Sequence, residues 1–550
     1  MAVVDIGPLL DRVTRPARYM GAEWNARPLP TEEASLKILL VDPDVYEVGM
    51  SRSLFHSLYQ LLNSLPGVTC HRAFLPWPDM AMAMRESATP LWSLEGRQPA
   101  LEFDLLLVLA PSELCLPSII ELLSLSGLPP LRQDRSGGPV VAVCAPAFLN
   151  PAPFSPLADM VLLGDPEAIL PTLVISLQDV GLDPSRLKGM SGVFDCSLQG
   201  TARAVCADLL PSYPTRHIVA FVETVQDALV VELARGDGET PYAGGNYYWG
   251  PYRERSPSEI MESVSEALAN TGYREVVLKG THYGKLQELA HALRQSVGRE
   301  VAIRTLQIPA QASWVEAATL LWAVPPRGSL NLWVGASSQR LRDALGFPLS
   351  DEEILAAAQS AFLGGWTSIR LQLEVGVPGE KPADVDAFLE LIGNVKRAGR
   401  AIRGPKAHVR IEAAIFVPRP FTPFQWAPLP SLDEVAHQVG ILRHGCRRKG
   451  IDLAVERPER WLVATAVARG DEEVAEAALH AWRLGARWDM RRDAFVWSSW
   501  EEAFRRASLE ASTILAGRER GALPWQGIDA GIDEGHLWGK WVKAKSALGL

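Results

Sequence analysis

The sequence predicts an α/β protein built from two successive α/β units and a C-terminal helical region. Three observations carry this. Short continuous apolar runs such as LKILLVD alternate with segments whose apolar residues recur at helical spacing. The alternation lapses over residues 185–215, which carry Ser, Gly and Pro without periodicity, and then resumes. From about residue 430 the strand-like runs give way to long, tryptophan-rich helical patterns. The expected division is an extension (1–35), a first α/β domain (36–190), a linker (191–215), a second α/β unit (216–427) and a helical region (428–550).

In the first unit, residues 36–45 read as a buried parallel strand ending in a polar turn, because an apolar run without alternation needs cover on both faces. SRSLFHSLYQLLNSL follows as a helix. FDLLLVLAP and PVVAVCAP are the next strands, with PSIIELLSLSGL as the helix between them. ADMVLLGDPEAILPTLV supplies a short fourth strand and another helix. The pattern is that of a doubly wound parallel sheet, whose ligands sit beyond the carboxyl ends of the strands. Those ends fall at 42–51, 110–115, 144–150 and 164–167.

In the second unit, VVELARG, REVVLKG, VAIRTLQI, LNLWVGAS, SIRLQLEVGVPG and HVRIEAAIFVP read as strands. Helices lie between most of them: SPSEIMESVSEALANTG, capped by Ser256 or Ser258, then SDEEILAAAQSAFLGG and ADVDAFLELIGNVKRAG. The count suits a partial (β/α) barrel of about six strands, with function at the carboxyl-end loops.

Composition narrows the function. Lys and Arg number 54 against 64 Asp and Glu, a net charge of −10, which argues against a broadly basic nucleic-acid-binding surface but leaves room for a local one. The six cysteines are scattered, and no two form C-x-x-C, so neither a disulfide framework nor a thiolate metal cage is indicated. No apolar run reaches the ~18 residues of a membrane span. No signal-peptide pattern opens the chain, and the expected location is the cytoplasm. His282 and Tyr283 follow the second barrel strand as acid–base groups or as structural ones. Tyr247, Tyr248 and Trp249 serve as a stacking platform or as a plug of the barrel mouth. Arg443, His444, Arg447, Arg448 and Lys449 form a basic site or complement a helix dipole.

Several strings point to one family. They are PARYMGAEWN (16–25), DPDVYEVGMS (42–51), FLPWPDM (74–80), YRERSP (252–257), SQRLRDAL (338–345), GVPGE (376–380), FVPRPFTPFQW (416–426), AWRLGARWD (481–489) and LPWQGIDAGI (523–532). In that order they resemble the radical S-adenosylmethionine (SAM) proteins with an N-terminal B12-binding domain, in the subgroup often encoded beside a small partner protein. The resemblance implies a Rossmann- or flavodoxin-like, B12-binding-like domain and a radical-SAM-like partial barrel. It implies that Asp44, Tyr46, Glu47 and Met50 line a cobalamin-type pocket, or are kept for packing. It sets Lys279, Gly280 and Thr281 where the amino-acid part of SAM binds, and Gly376, Pro378, Gly379 and Glu380 in the loop beside SAM. Strand-end turn chemistry is the alternative for both groups.

The chain departs from the family at its reactive centre. Three thiolates of a C-x-x-x-C-x-x-C loop hold the family's [4Fe–4S] cluster, because soft sulfur ligands retain iron–sulfur clusters. Here Asp237, Pro241 and Gly244 occupy those positions. Cys144-Ala145-Pro146 stands for the usual Gly-Gly-Pro, Gly164-Asp165-Pro166-Glu167 for a glycine-rich loop, and Gly335-Ala336-Ser337 for Glu-Ala-Gly. The expectation is therefore a protein without the cluster, with no catalytic residue and no metal ligand assigned, and with SAM and cobalamin left open as ligands. It would be a pseudoenzyme acting as scaffold or regulator for a small neighbouring-gene protein or an active paralogue. The alternative is a cluster-free SAM- or cobalamin-binding enzyme or sensor, linked to RNA modification, with nucleic acid as a further partner.

Overall fold

The structure is a computed structural model that describes residues 3–145, 150–197, 201–206, 209, 215–236, 251–280, 283–297, 301–305, 307–321, 329–347 and 349–550. The first unit is a six-stranded sheet. Its strands are β1 (Leu36–Asp42), β2 (Val68–Phe74), β3 (Leu105–Leu109), β4 (Val140–Cys144), β5 (Met160–Leu162) and β6 (Val193–Asp195). Their spatial order is β2-β1-β3-β4-β5-β6. All neighbours run parallel except β5 and β6. Ile38 and Leu40 face the helices Ser53–Ser64 and Pro166–Val180 through Phe55, Leu58 and Leu173. Leu39, Val41 and Leu106 face the other way, with Met80, Met84 and Ile119 of the helices Pro78–Ser87 and Leu116–Leu125. This is the doubly wound arrangement expected from the apolar runs.

Two strands of this sheet were not expected. β2, VTCHRAF, is buried along its whole length although it contains Thr69, His71 and Arg72. Its polar residues are paid for by distant partners, as described below, so local composition hides it. β6 lies inside the stretch read as linker; it is three residues long and pairs antiparallel with β5.

The second unit forms two parallel sheets. One has the order β9-β8-β7, from β7 (Leu229–Glu232), β8 (Glu275–Lys279) and β9 (Ala302–Thr305). The other runs β10 (Ile308–Pro309), β11 (Ser329–Ala336), β12 (Ser368–Val375), β13 (His408–Ile415) and β14 (Asp452–Val455). VAIRTLQI, expected as one strand, is divided between β9 and β10. β14 extends the expected barrel by one strand, from within the part read as helical. Ser256 caps the helix Pro257–Thr271 in a capping box with Glu259.

Strict alternation organises the barrel. In SIRLQLEV, Ile369, Leu371, Leu373 and Val375 are buried toward the surrounding helices, while Ser368, Arg370, Gln372 and Glu374 are partly buried on the inner face. One apolar core runs from Ile6 through the first sheet and the barrel's outer layer to Leu548 of the helix Glu534–Leu548. The C-terminal tryptophans belong to it: Trp461, Trp500 and Trp525 are buried, and their indole N–H groups donate to the Phe416 carbonyl, Asp489 and Gln425. Among the described residues no helix is long and apolar enough to cross a membrane.

Candidate functional site

The turn after β1 is closed by the chain's own N-terminal segment. Tyr46 donates its hydroxyl to Glu23 at 2.9 Å. Glu47 takes Arg15 at 2.9 Å and Arg18 at 2.7 Å. Asp44 accepts from the Val45 N–H at 2.8 Å, and burial raises its carboxyl. The Met50 carbonyl meets His56 Nε2 at 2.8 Å, and its sulfur lies 3.3 Å from an Arg72 nitrogen. Arg72 is fully buried and joins Glu23 at 2.7 Å to Glu95 at 2.5 Å. A buried arginine between two carboxylates is retained only while every partner is present. The four candidate residues Asp44, Tyr46, Glu47 and Met50 thus sit together, each held by protein groups. The enclosed space beside Tyr46, Trp77 and Trp92 measures about 20 Å³, room for about one water.

A second network joins the two units. Arg235, three residues beyond the end of β7, is 8% exposed. It binds Asp165 at 2.9 Å from the loop after β5, Glu167 at 2.9 Å from the first turn of the helix Pro166–Val180, and Glu232 at 2.7 Å from β7. Arg253 adds a second ion pair to Asp165. Burial raises the Glu232 carboxyl, but Arg235 more than offsets this and holds it below its ordinary value. Gly164 fixes the acidic loop: its φ is +105°, and a Cβ there would lie 2.0 Å from the Val205 carbonyl oxygen. The carboxyl edge of the first sheet and the start of the barrel's first loop are therefore ionically clamped to each other.

Lys279 ends β8 in register with Glu232, and Gly280 packs against Leu233 and Ala234. Tyr283 is buried and donates to the Arg255 carbonyl at 2.9 Å, a structural bond. Asp237, Pro241, Gly244, Tyr247, Tyr248, Trp249, Thr281, His282 and Pro146 lie outside the described residues.

The loop Gly376, Pro378, Gly379, Glu380 follows β12. The Glu380 carboxyl accepts from the Gly376 N–H at 2.5 Å and from the Ser337 hydroxyl. Burial pushes it up to about 7 despite these donors. Arg340 donates to the Gly379 carbonyl at 2.9 Å. Leu548 of the last helix presses on the same glycine, within 3.0 Å of where a Cβ would stand. The three groups of expected site residues thus occupy three separate strand ends.

Sequence reading passed over one row on the barrel's inner face. Trp333, Gln372 and Glu412 are register neighbours on β11, β12 and β13. Gln372 donates to Glu412 at 3.0 Å, while the Trp333 indole N–H and the Gln372 amide oxygen are buried without a partner among the described residues. Above them burial pushes Glu374 up to about 7, opposed by Arg419. The alternating polar residues of SIRLQLEV and HVRIEAAI were the available signal.

The six thiols are structural in setting. Cys70, Cys115, Cys144, Cys196 and Cys446 are buried and Cys206 is half-buried. Burial raises every one of them, Cys446 to about 11.

Comparison with known proteins gives a family match over part of the chain. Residues 55–187 match the family model described as "Radical SAM proteins, N-terminal". No curated protein sequence matches the chain. Among solved structures, the chain is similar to the cobalamin-dependent S-adenosylmethionine radical enzyme OxsB with aqua-cobalamin bound: 11% identity, 68% of this chain, TM-score 0.44. It covers only 56% of the OxsB chain. It is similar to the radical S-adenosylmethionine methyltransferase TsrM from Kitasatospora setae, with tryptophan substrate and a SAM analogue bound: 14% identity, 74% of this chain and 71% of that one, TM-score 0.36. The coproporphyrinogen III oxidase HemN from Escherichia coli follows at 13% identity, 40% of this chain and 52% of that one, TM-score 0.28. The family match groups residues 55–187 with the N-terminal domains of radical SAM proteins.

Proposed function

We propose that the chain is a radical SAM superfamily protein that has lost the [4Fe–4S] ligands and works without radical chemistry, as a scaffold or regulator for a protein partner. The observation that carries this reading is the Arg235 clamp. The two edges that would have to face a cofactor are bonded to each other through Asp165, Glu167, Glu232 and Arg235. The residues do not fit a cluster: no cysteine occurs between Cys206 and Cys446, so the loop after Arg235 has no thiolate to offer.

The test is anaerobic purification and iron–sulfide reconstitution, followed by iron assay, visible spectrum and calorimetric titration of SAM and hydroxocobalamin on one sample. No iron and no binding is the expected result; iron in cluster stoichiometry overturns the reading. Binding of SAM or hydroxocobalamin without iron supports the second reading, a cluster-free enzyme or sensor. The observation favouring that alternative is the ordered Gly376–Glu380 loop, held by Ser337 and Arg340 at a strand end.

A further inference from the structure

The barrel end opposite these loops concentrates positive charge. β12, β13 and β14 are parallel, so the helices that connect them, Pro382–Arg403 and Leu432–Lys449, run back along the barrel. Their last turns meet where β13 and β14 begin. The contact is direct: Lys396 Nζ donates to the carbonyls of Lys449 and, at 2.8 Å, Gly450. This end gathers Arg397 and Arg400 from the first helix, Lys406 from the turn after it, Arg410 from β13, and Arg443, Arg447 and Arg448 from the second helix. All seven are exposed. Among the described residues only Arg410 of these seven has a carboxylate partner, Asp452 at 3.6 Å. Burial and the neighbouring Arg400 push the Lys396 ammonium below its ordinary value. The excess is local, because the chain as a whole carries −10.

We propose that this end of the barrel binds the phosphate backbone of a duplex nucleic acid. Helix-dipole compensation accounts for cations in the final turns, Arg400, Arg447 and Arg448. It does not account for Lys406, Arg410 and Arg443, nor for two cationic helix ends brought together beside Asp452, whose carboxylate pairs with Arg410. Arginine predominates, and its planar fork suits phosphate oxygens better than the point charge of lysine. Single strands are held by stacking on exposed aromatic rings. The exposed large apolar residues Trp24 and Phe221 lie elsewhere, in the N-terminal extension and the segment before β7. A membrane surface needs apolar anchors, and Leu363, whose carbonyl takes Arg403 at 3.3 Å, is the exposed large apolar residue placed beside this patch. Backbone contact without base readout is the mode that remains. The surface lies away from the Arg235 clamp and does not depend on the function proposed above.

The test uses the full chain and a fluorescein-labelled duplex of about 20 base pairs, as RNA and as DNA, read by anisotropy between about 50 and 200 mM KCl. The wild-type chain is expected to bind with an affinity that falls as salt rises. Arg400→Glu combined with Arg447→Glu should lower affinity at the lowest salt at least about tenfold and flatten the salt slope by about two. Lys543→Glu with Lys545→Glu, the same charge change on the exposed face of the last helix, should leave both unchanged. Unchanged circular dichroism and melting of all variants exclude unfolding as the cause. No salt-dependent binding to either duplex, equal losses in both double variants, or capture by phosphatidylserine vesicles without duplex binding would each overturn the proposal.

Discussion

Arg235→Met removes the centre of the clamp. In the native chain three carboxylates, Asp165, Glu167 and Glu232, face Arg235 and Arg253, and each is about a tenth exposed or less. Methionine fills the volume of the arginine stem but leaves Glu167 and Glu232 without their guanidinium. Removing one partner of a buried ion pair costs about 3–5 kcal/mol, because the remaining charge stays desolvated. The loss should appear in urea unfolding at pH 7.5, followed by far-ultraviolet circular dichroism and tryptophan fluorescence. It should be non-additive. Glu167→Gln on the Arg235→Met background removes one stranded charge, so the double variant should recover about 1 kcal/mol or more relative to the sum of the singles. Acidification should also rescue Arg235→Met. Without Arg235, burial raises the Glu232 carboxyl in the folded state, so the folded form gains protons that the unfolded form lacks and stability returns as pH falls. A loss below about 1 kcal/mol, or strict additivity with Glu167→Gln, would refute the account of the clamp as a closed buried network.

Three other outcomes follow from the same geometry. Glu380 rises from 4.5 to about 7 on folding, so the stability it contributes is complete below about pH 4.5 and lost by about pH 7, roughly 3 kcal/mol at about 1.4 kcal/mol per unit. Glu380→Gln keeps an acceptor for Gly376 and should remove that pH slope from the difference between the two chains; an unchanged slope would count against it. Gly379→Ala places a methyl against Leu548 at a φ of +77°, and should cost about 1–3 kcal/mol and raise hydrogen exchange in the helix Glu534–Leu548; wild-type exchange would contradict the contact. Native titration with a bulky disulfide reagent should modify Cys206 first and leave the other five thiols for the denatured chain; rapid labelling of Cys144 or Cys196 would be inconsistent with their burial.

Much of the architecture was legible because burial writes itself locally. LKILLVD, LLLVL and VVAVC announce strands covered on both faces, and SIRLQLEV announces one face toward helices and one toward the barrel interior. The Ser256 cap and the basic last turn before Gly450 followed from the same local rules. β2 escaped because His71 and Arg72 contradict a buried strand until Ser93 is brought to His71 and Glu23 and Glu95 to Arg72. β14 escaped because four residues with two exposed side chains carry too little pattern, and its pairing with β13 comes from 42 residues away.

By itself the sequence determined the α/β alternation, the apolar faces, the helix caps and the absence of cysteine between Cys206 and Cys446. These depend on residue type and spacing along the chain. Only the tertiary structure decided that Asp165 and Glu167 meet Arg235, that Tyr46 is spent on Glu23, that Leu548 closes on Gly379, and that two cationic helix ends share one face. The physical reason is that a buried charge or a tight backbone contact is set by partners tens to hundreds of residues away. Their pairing energy exists only once the chain has desolvated both members together.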